Sequence, residues 1–275
     1  MELSGYEILT ERRIAHWEET PAGGLPRKLQ AYLTRPVEDL IGAFGHKQTL
    51  LVERAVTHVI HDLISASAYT IRPEELLKRA QRLGIRLQHF SEIKTCDLRL
   101  LDRCNRQNID LHALTSTVQG ALMGLAGPVL APADLVVVLG TTFHLMQEIS
   151  SCHGFHPDDP MEKEIMLHIL EMGIGPPEQK ERALSAIEEL KARARAGDTS
   201  GVLLDGGHLN VFASKALSEF IQNLTVSLGC RILAHCLPVL SMITGAHSNH
   251  ELVSDCGLSA FMVYRKLFLE RKRTL

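Results

Sequence analysis

Three groups of side chains have the types and spacings that could do chemistry. The first is acidic. Asp134 sits between two stretches without Asp, Glu, Lys or Arg, Leu111–Ala133 and Leu135–Gln147. A buried carboxylate is costly unless it is paired or hydrogen-bonded. Asp134 therefore reads either as the cap of a helix beginning near Leu135 or as a polar contact for a ligand. Glu148 lies fourteen residues on, about 21 Å along one straight helix, so the two carboxylates cannot flank one bond.

The second group is imidazole and thiol. His58, His61 and Asp62 form HVIHD, and positions three apart on a helix can share a ligand. His144, Cys152, His153 and His156 are the densest cluster, with Gly154 as a break that could bring Cys152 and His153 together. His247 and His250, near Asn249, have helix-end spacing. Zinc or a reactive thiol could use such sets, yet there is no CxxC pair and no HExxH. A helix-surface or core-edge role is the simpler reading of each. The third group is basic: Arg265, Lys266, Arg271, Lys272 and Arg273, offset by Glu270. With Leu258, Phe261, Met262, Tyr264, Leu267, Phe268 and Leu269 they suit either a solvated last helix or an amphipathic helix on anionic lipid. GxSxG, GxGxxG and GxxxxGK[ST] are missing. No catalytic residue, cofactor site or metal site is assigned.

The elements that must hold these groups read as helices. Ile8, Leu9, Ile14 and Trp17 recur at helical spacing over Glu7–Trp17. Further helices are expected from about Leu25, over Val37–Phe44 and Thr49–Ser67, and from Arg72-Pro73-Glu74-Glu75 to Gly84. Glu92–Asn105 is polar and helical. Leu111–Gly127 and Pro132–Ser151 follow, parted by Gly127-Pro128 and Ala131-Pro132. Asp159-Pro160-Met161-Glu162 is the best N-terminal signature, with Asp159 as cap, Pro160 at the first position and Glu162 at the third. That helix stops at GIGPP, and Pro177 starts a polar one. Residues 197–207 are the most linker-like piece. The last two helices are expected over Leu209–His250, interrupted by Pro238 and Gly245, and over Glu251–Lys272. These elements predict an all-α chain forming one multi-helix domain over residues 1–275, with a central glycine-rich hairpin packed against C-terminal helices.

Leu111–Ala133 is long enough to raise a membrane span. Thr115, Ser116, Thr117, Gln119 and two prolines argue against one. A buried hairpin, a hairpin touching one membrane face and a small-molecule or acyl-chain cavity remain as readings. Gly120 and Gly124 form a GxxxG pair, with Gly127 three beyond. In lipid that spacing favours helix association; in water it marks close packing.

The bulk numbers exclude other classes. The 275 residues are 45% hydrophobic and 22% charged, as in an ordinary globular protein. The net charge of -3 gives no electrostatic footprint for nucleic acid. The opening MELSGYEILTERR has acids early and no apolar run, so no signal peptide is expected. Six cysteines in a large chain of this kind are expected to be reduced.

Several segments resemble the EcsC family of bacterial proteins. They are ALTSTVQGALMGLAG (Ala113–Gly127), PADL (Pro132–Leu135), the ERALSAI-type helix, LPVLSMITGAHSN (Leu237–Asn249) and LSAFMVYRKLFLERK (Leu258–Lys272). The matching positions are Gly120, Gly124, Gly127, Pro132, Asp134, Pro238, Gly245 and Asn249. Ser241 departs from the glycine such proteins often have there. The resemblance implies a helical cytoplasmic or membrane-peripheral protein of a family whose founding context is an exporter operon, and carries no catalytic residue over.

Together these readings predict a non-enzymatic accessory protein, cytoplasmic or peripheral on the inner face of the membrane. Its expected partners are a membrane surface, a membrane protein or a hydrophobic small molecule, and not nucleic acid. The glycine-rich helices would make the contact and the C-terminal cations would orient it. The alternatives are an enzyme using Asp134 with a histidine cluster, and a helical scaffold acting as a homodimer. The oligomeric state is open.

Overall fold

The computed structural model describes residues 2–20, 87–125, 131–175, 177–197 and 241–274, with single positions between 50 and 81 and at 222. The helices expected between Leu25 and Gly84, and Gly127, Pro238, His61, Asp62, Cys230 and Cys236, lie outside or at the edges of these residues. So does the linker beyond Gly197. Among the described residues every regular element is helical.

Helix α1 (Gly5–Glu19) opens on a reciprocal capping box. The Glu7 N–H donates to the Ser4 hydroxyl, and the Ser4 N–H to the Glu7 carboxylate. A short 3-10 helix, Phe90–Thr95, leads into α2 (Leu98–Leu125). The expected polar helix over Glu92–Asn105 is thus not separate. Its second half is the start of α2, which continues unbroken past Leu111 because nothing between Asn105 and Leu111 forbids helical geometry. Next come α3 (Ala131–Cys152), α4 (Pro160–Ile174) and α5 (Pro177–Arg195). Asp159 and Pro160 act as read: the Asp159 carboxylate accepts the Met161 N–H, with Pro160 in the first turn.

The largest departure is at the end. Ser241–Arg273 is one helix of 33 residues, α6, about 50 Å long. Gly245, Asn249 and His250, read as breaks and helix-end residues, lie inside it. Intrinsic propensity is a weak term, and α6 is held along its length by the other helices.

α6 is the axis of the domain. α2 runs antiparallel to α3: Gln119 meets Asp134, His112 meets Glu148, and Asn105 meets His153. α2 is also antiparallel to α6, through Thr117–His250 and Asp102–Arg265. The core fills the space between them with Leu139, Phe143, Met146, Ile149, Val253 and Tyr264, all fully buried. α4 and α5 close the other side, α4 burying ten of its fifteen residues and α5 only its Ala183, Ile187 and Leu190 face. Among the described residues Ala133–Cys152 is long and apolar enough to cross a membrane, and 72% of that window is buried inside the protein, as in a core helix.

α3 ends in a Schellman turn. The Phe155 N–H reaches the Ser150 carbonyl and the Gly154 N–H reaches Ser151, with Gly154 at φ 76°. Another glycine marks a close approach of two helices. A Cβ on Gly173 of α4 would lie 2.8 Å from the backbone Cα and N of Cys256 in α6. Backbone cannot yield there as a side-chain tip could. Gly173→Ala is therefore expected to cost about 1–3 kcal/mol, read as a lower urea midpoint. Gly5→Ala, where a Cβ meets nothing within 4 Å, should leave the midpoint unchanged or slightly raised.

Candidate functional site

Each of the C-terminal cations is engaged by another group of this chain, contrary to a freely solvated basic patch. Arg265 and Lys272 are buried. Arg265 forks onto Asp102 of α2, its Nε donating to Oδ1 at 2.9 Å and its Nη2 to Oδ2, while the Tyr6 hydroxyl donates to Oδ2 at 2.5 Å. Lys272 bonds Glu7 at 2.6 Å. Burial pushes the Glu7 carboxyl up, but Lys272 and the Ser4 N–H outweigh it, and its pKa is lowered. Lys266 bridges Glu18 and Glu188 at 2.7 and 2.8 Å, and the more exposed Arg273 pairs with Glu11 at 2.7 Å. Arg271 donates to the His153 and Gly154 carbonyls that end α3, and lies over the Phe155 ring. The spacing that suggested lipid is the spacing of bonds to α1, α2, α3 and α5.

The histidine and cysteine cluster is dispersed by the helix geometry. His156 is exposed and rests on Phe90 with ring centroids 4.6 Å apart. Cys152 meets Cys104 with the sulfurs 3.8 Å apart, both reduced. His153 is buried among Phe261, Tyr264 and Phe268. Its Nδ1 donates to the Ile149 carbonyl at 2.8 Å. Burial lowers its pKa to about 4, so it is neutral. His247 pairs with Glu251 at 3.2 Å, while His250 reaches Thr117, so these two do not share a site. His58 is exposed.

Asp134 is not a helix cap. It lies within the first turn of α3, and its carboxylate takes the Gln119 amide at 3.1 Å and the Asn249 amide at 3.1–3.2 Å. Asp134 and Asn249, 115 residues apart in sequence, thus brace α2, α3 and α6 at one end. Gly120 is buried one residue from Gln119.

Nearly three turns of α3 further on, His144 meets groups that sequence spacing did not join to it. His112 of α2 places Nε2 3.1 Å from Glu148 Oε2, and His144 places Nε2 3.6 Å from Oε1 of the same carboxylate. Their rings tilt against each other at 5.7 Å. The Glu148 side chain is 3% exposed, His112 18% and His144 41%, so the group opens to solvent on the imidazole side. Asp134 stands ten residues from His144, about 15 Å along the helix, and cannot act on the same bond.

Beside His112 begins the feature that sets α2 apart. Leu111, Leu114, Val118 and Leu122 are 56–63% exposed and fall within about 80° of one helix face at 100° per residue. Residues 111–125 carry no charge. The uncharged stretch is therefore buried on one side only. Val137 of α3 is also exposed.

The family model for the EcsC protein family matches residues 9–269. The chain belongs to the EcsC protein family. It is 26% identical over 180 residues to the uncharacterised protein YdbA of Bacillus subtilis (strain 168), a match covering 65% of this chain and 62% of YdbA. The chain thus spans less than two thirds of that relative's length. No solved structure matches the chain.

Sequence reasoning missed a second buried group in this EcsC protein. Glu162, expected to complete a capping box, turns into the core beside Tyr264 and Ser150, and the Asp159 N–H bonds His156 instead. The Tyr264 and Ser150 hydroxyls lie near enough to influence its ionisation, but Glu162 Oε2 and the two hydroxyls reach no well-formed hydrogen bond. Burial raises the Glu162 pKa to about 8. A carboxyl raised this way takes up a proton on folding between its ordinary value and about 8, so stability falls as pH rises across that window. His153 acts oppositely, losing stability as pH falls from the ordinary histidine value through about 4. Above neutrality only the Glu162 slope remains of the two. Glu162→Gln is expected to flatten the decline of the urea midpoint between pH 6.5 and 8.5, and to be the more stable form at the upper end.

Proposed function

We propose that this protein is a non-enzymatic accessory protein that works by docking, its α2 face seating on the apolar surface of a membrane or of a membrane-embedded transporter. The observation that carries this reading is the exposed row Leu111, Leu114, Val118 and Leu122 on an uncharged stretch of helix. Single exposed leucines are ordinary, whereas a row on one face marks a contact surface. An enzyme built on Asp134 and a histidine loses support, because the carboxylate is engaged by two amides and stands a long way along α3 from the His144 group.

The expected chemistry of contact differs from the one the sequence suggested. With Arg265 and Lys272 buried and the other C-terminal cations engaged by groups of the chain, attraction comes from apolar burial, worth about 1.5–3 kcal/mol for each fully covered side chain. Cosedimentation with neutral phosphatidylcholine vesicles should therefore match that with vesicles containing anionic phosphatidylglycerol, and should survive moderate salt. Leu114→Asp together with Val118→Asp should weaken binding by more than about tenfold. Binding that requires anionic lipid and disappears with salt would contradict this face as the contact. So would the absence of both vesicle binding and a co-purifying membrane partner. A second copy of the chain on the same face would appear as a dimer mass in solution that the double substitution abolishes.

A further inference from the structure

We infer that His112, His144 and Glu148 form a site for one divalent transition-metal ion, zinc in kind, linking α2 to α3. Each residue offers one ligand atom, and the three lie within 4.8 Å of one another. Tetrahedral zinc with bonds of about 2.0–2.1 Å holds its donors about 3.3 Å apart. His112 Nε2 stands 3.1 Å from Glu148 Oε2 and His144 Nε2 3.6 Å from Oε1, so each ring is near that spacing from one of the two oxygens, and a small turn of the carboxylate would present one oxygen to both. The wider imidazole-to-imidazole gap closes by rotation of His144, the most exposed of the three.

The backbone supports the arrangement. His144 and Glu148 are one turn apart on α3 and project from one face, while His112 comes from the antiparallel neighbour. Two imidazoles and a carboxylate suit zinc and its neighbours in the first transition row, and not calcium or magnesium, which prefer all-oxygen sets. A fourth position would be left on the solvent side, where a water completes three-ligand sites. The inference is independent of docking through the leucine row, although His112 adjoins it.

The test is isothermal titration of the apo protein with zinc against a competing chelator, paired with the visible spectrum of the cobalt-loaded form. One equivalent is expected to bind, with the strong d–d bands of tetrahedral cobalt and a rise in thermal midpoint on zinc addition. His144→Ala, the mildest change for folding because this ring is the most exposed, should weaken binding by more than about tenfold and abolish the cobalt bands. His112→Ala should do the same. His247→Ala, an exposed imidazole paired with Glu251 elsewhere on α6, should bind as the wild type does. The proposal is overturned if the wild-type protein takes up no metal in competition with chelator. It is equally overturned if folded His144→Ala or His112→Ala binds zinc with unchanged affinity and spectrum.

Discussion

The buried pair between Arg265 and Asp102 is the constraint on which the arrangement of helices depends. An arginine without its partner in this interior would cost several kcal/mol, so α6 can occupy the centre only where α2 presents Asp102. Tyr6 adds a hydrogen bond to the same carboxylate and brings α1 across both. The pair fixes the antiparallel register of α2 on α6. The same register carries Thr117 to His250 at one end and leaves Asn249 to meet Asp134. Such pairs are better understood as setting register than as adding net stability. Apolar burial around Phe143, Tyr264 and Phe268 supplies the driving force.

The consequence for function is a division of labour between the faces of α2. Its inner face meets α6 and α3 through small or polar groups: Ala113, Ser116, Gly120 and Gln119. Its outer face keeps leucine and valine in solvent. The mixture of polar and apolar residues in this stretch is therefore not a weakened membrane span. It belongs to a helix whose Thr117 and Gln119 reach across to His250 and Asp134, and whose leucine and valine side chains stay in solvent. His112 sits on the flank between the two faces, which is why it reaches both Glu148 and solvent.

Several of these features were legible in the chain. Asp159-Pro160 defines its helix start because capping is local. The Ser4-x-x-Glu7 box was equally readable and would have placed the start of α1 before Glu7. Asp134 and Asn249 were singled out separately, for their isolation and for family resemblance, and the fold joins them. Other readings failed for a common reason. Gly245 and the polar run around Asn249 and His250 look like a helix end, yet long-range packing outweighs the small local cost of a glycine. Lys272 and Arg265 look solvated by type, yet each has an acid waiting on a helix far away in sequence. Glu162 fits a capping box by position, and its side chain instead enters the core.

The sequence by itself determined the helical class, the local starts at Asp159 and Pro160, the uncharged central stretch and the family, because these follow from residue type and short-range spacing. The tertiary structure alone decided which charges are paired, which side of the central stretch faces water, and that His112 joins His144 and Glu148. These are relations between helices, and pairing of residues 36 to 265 positions apart leaves no periodicity in a single chain from which it could be read. The reason is that burial and Coulomb energy act through space, while the patterns of one sequence record only neighbours along the chain.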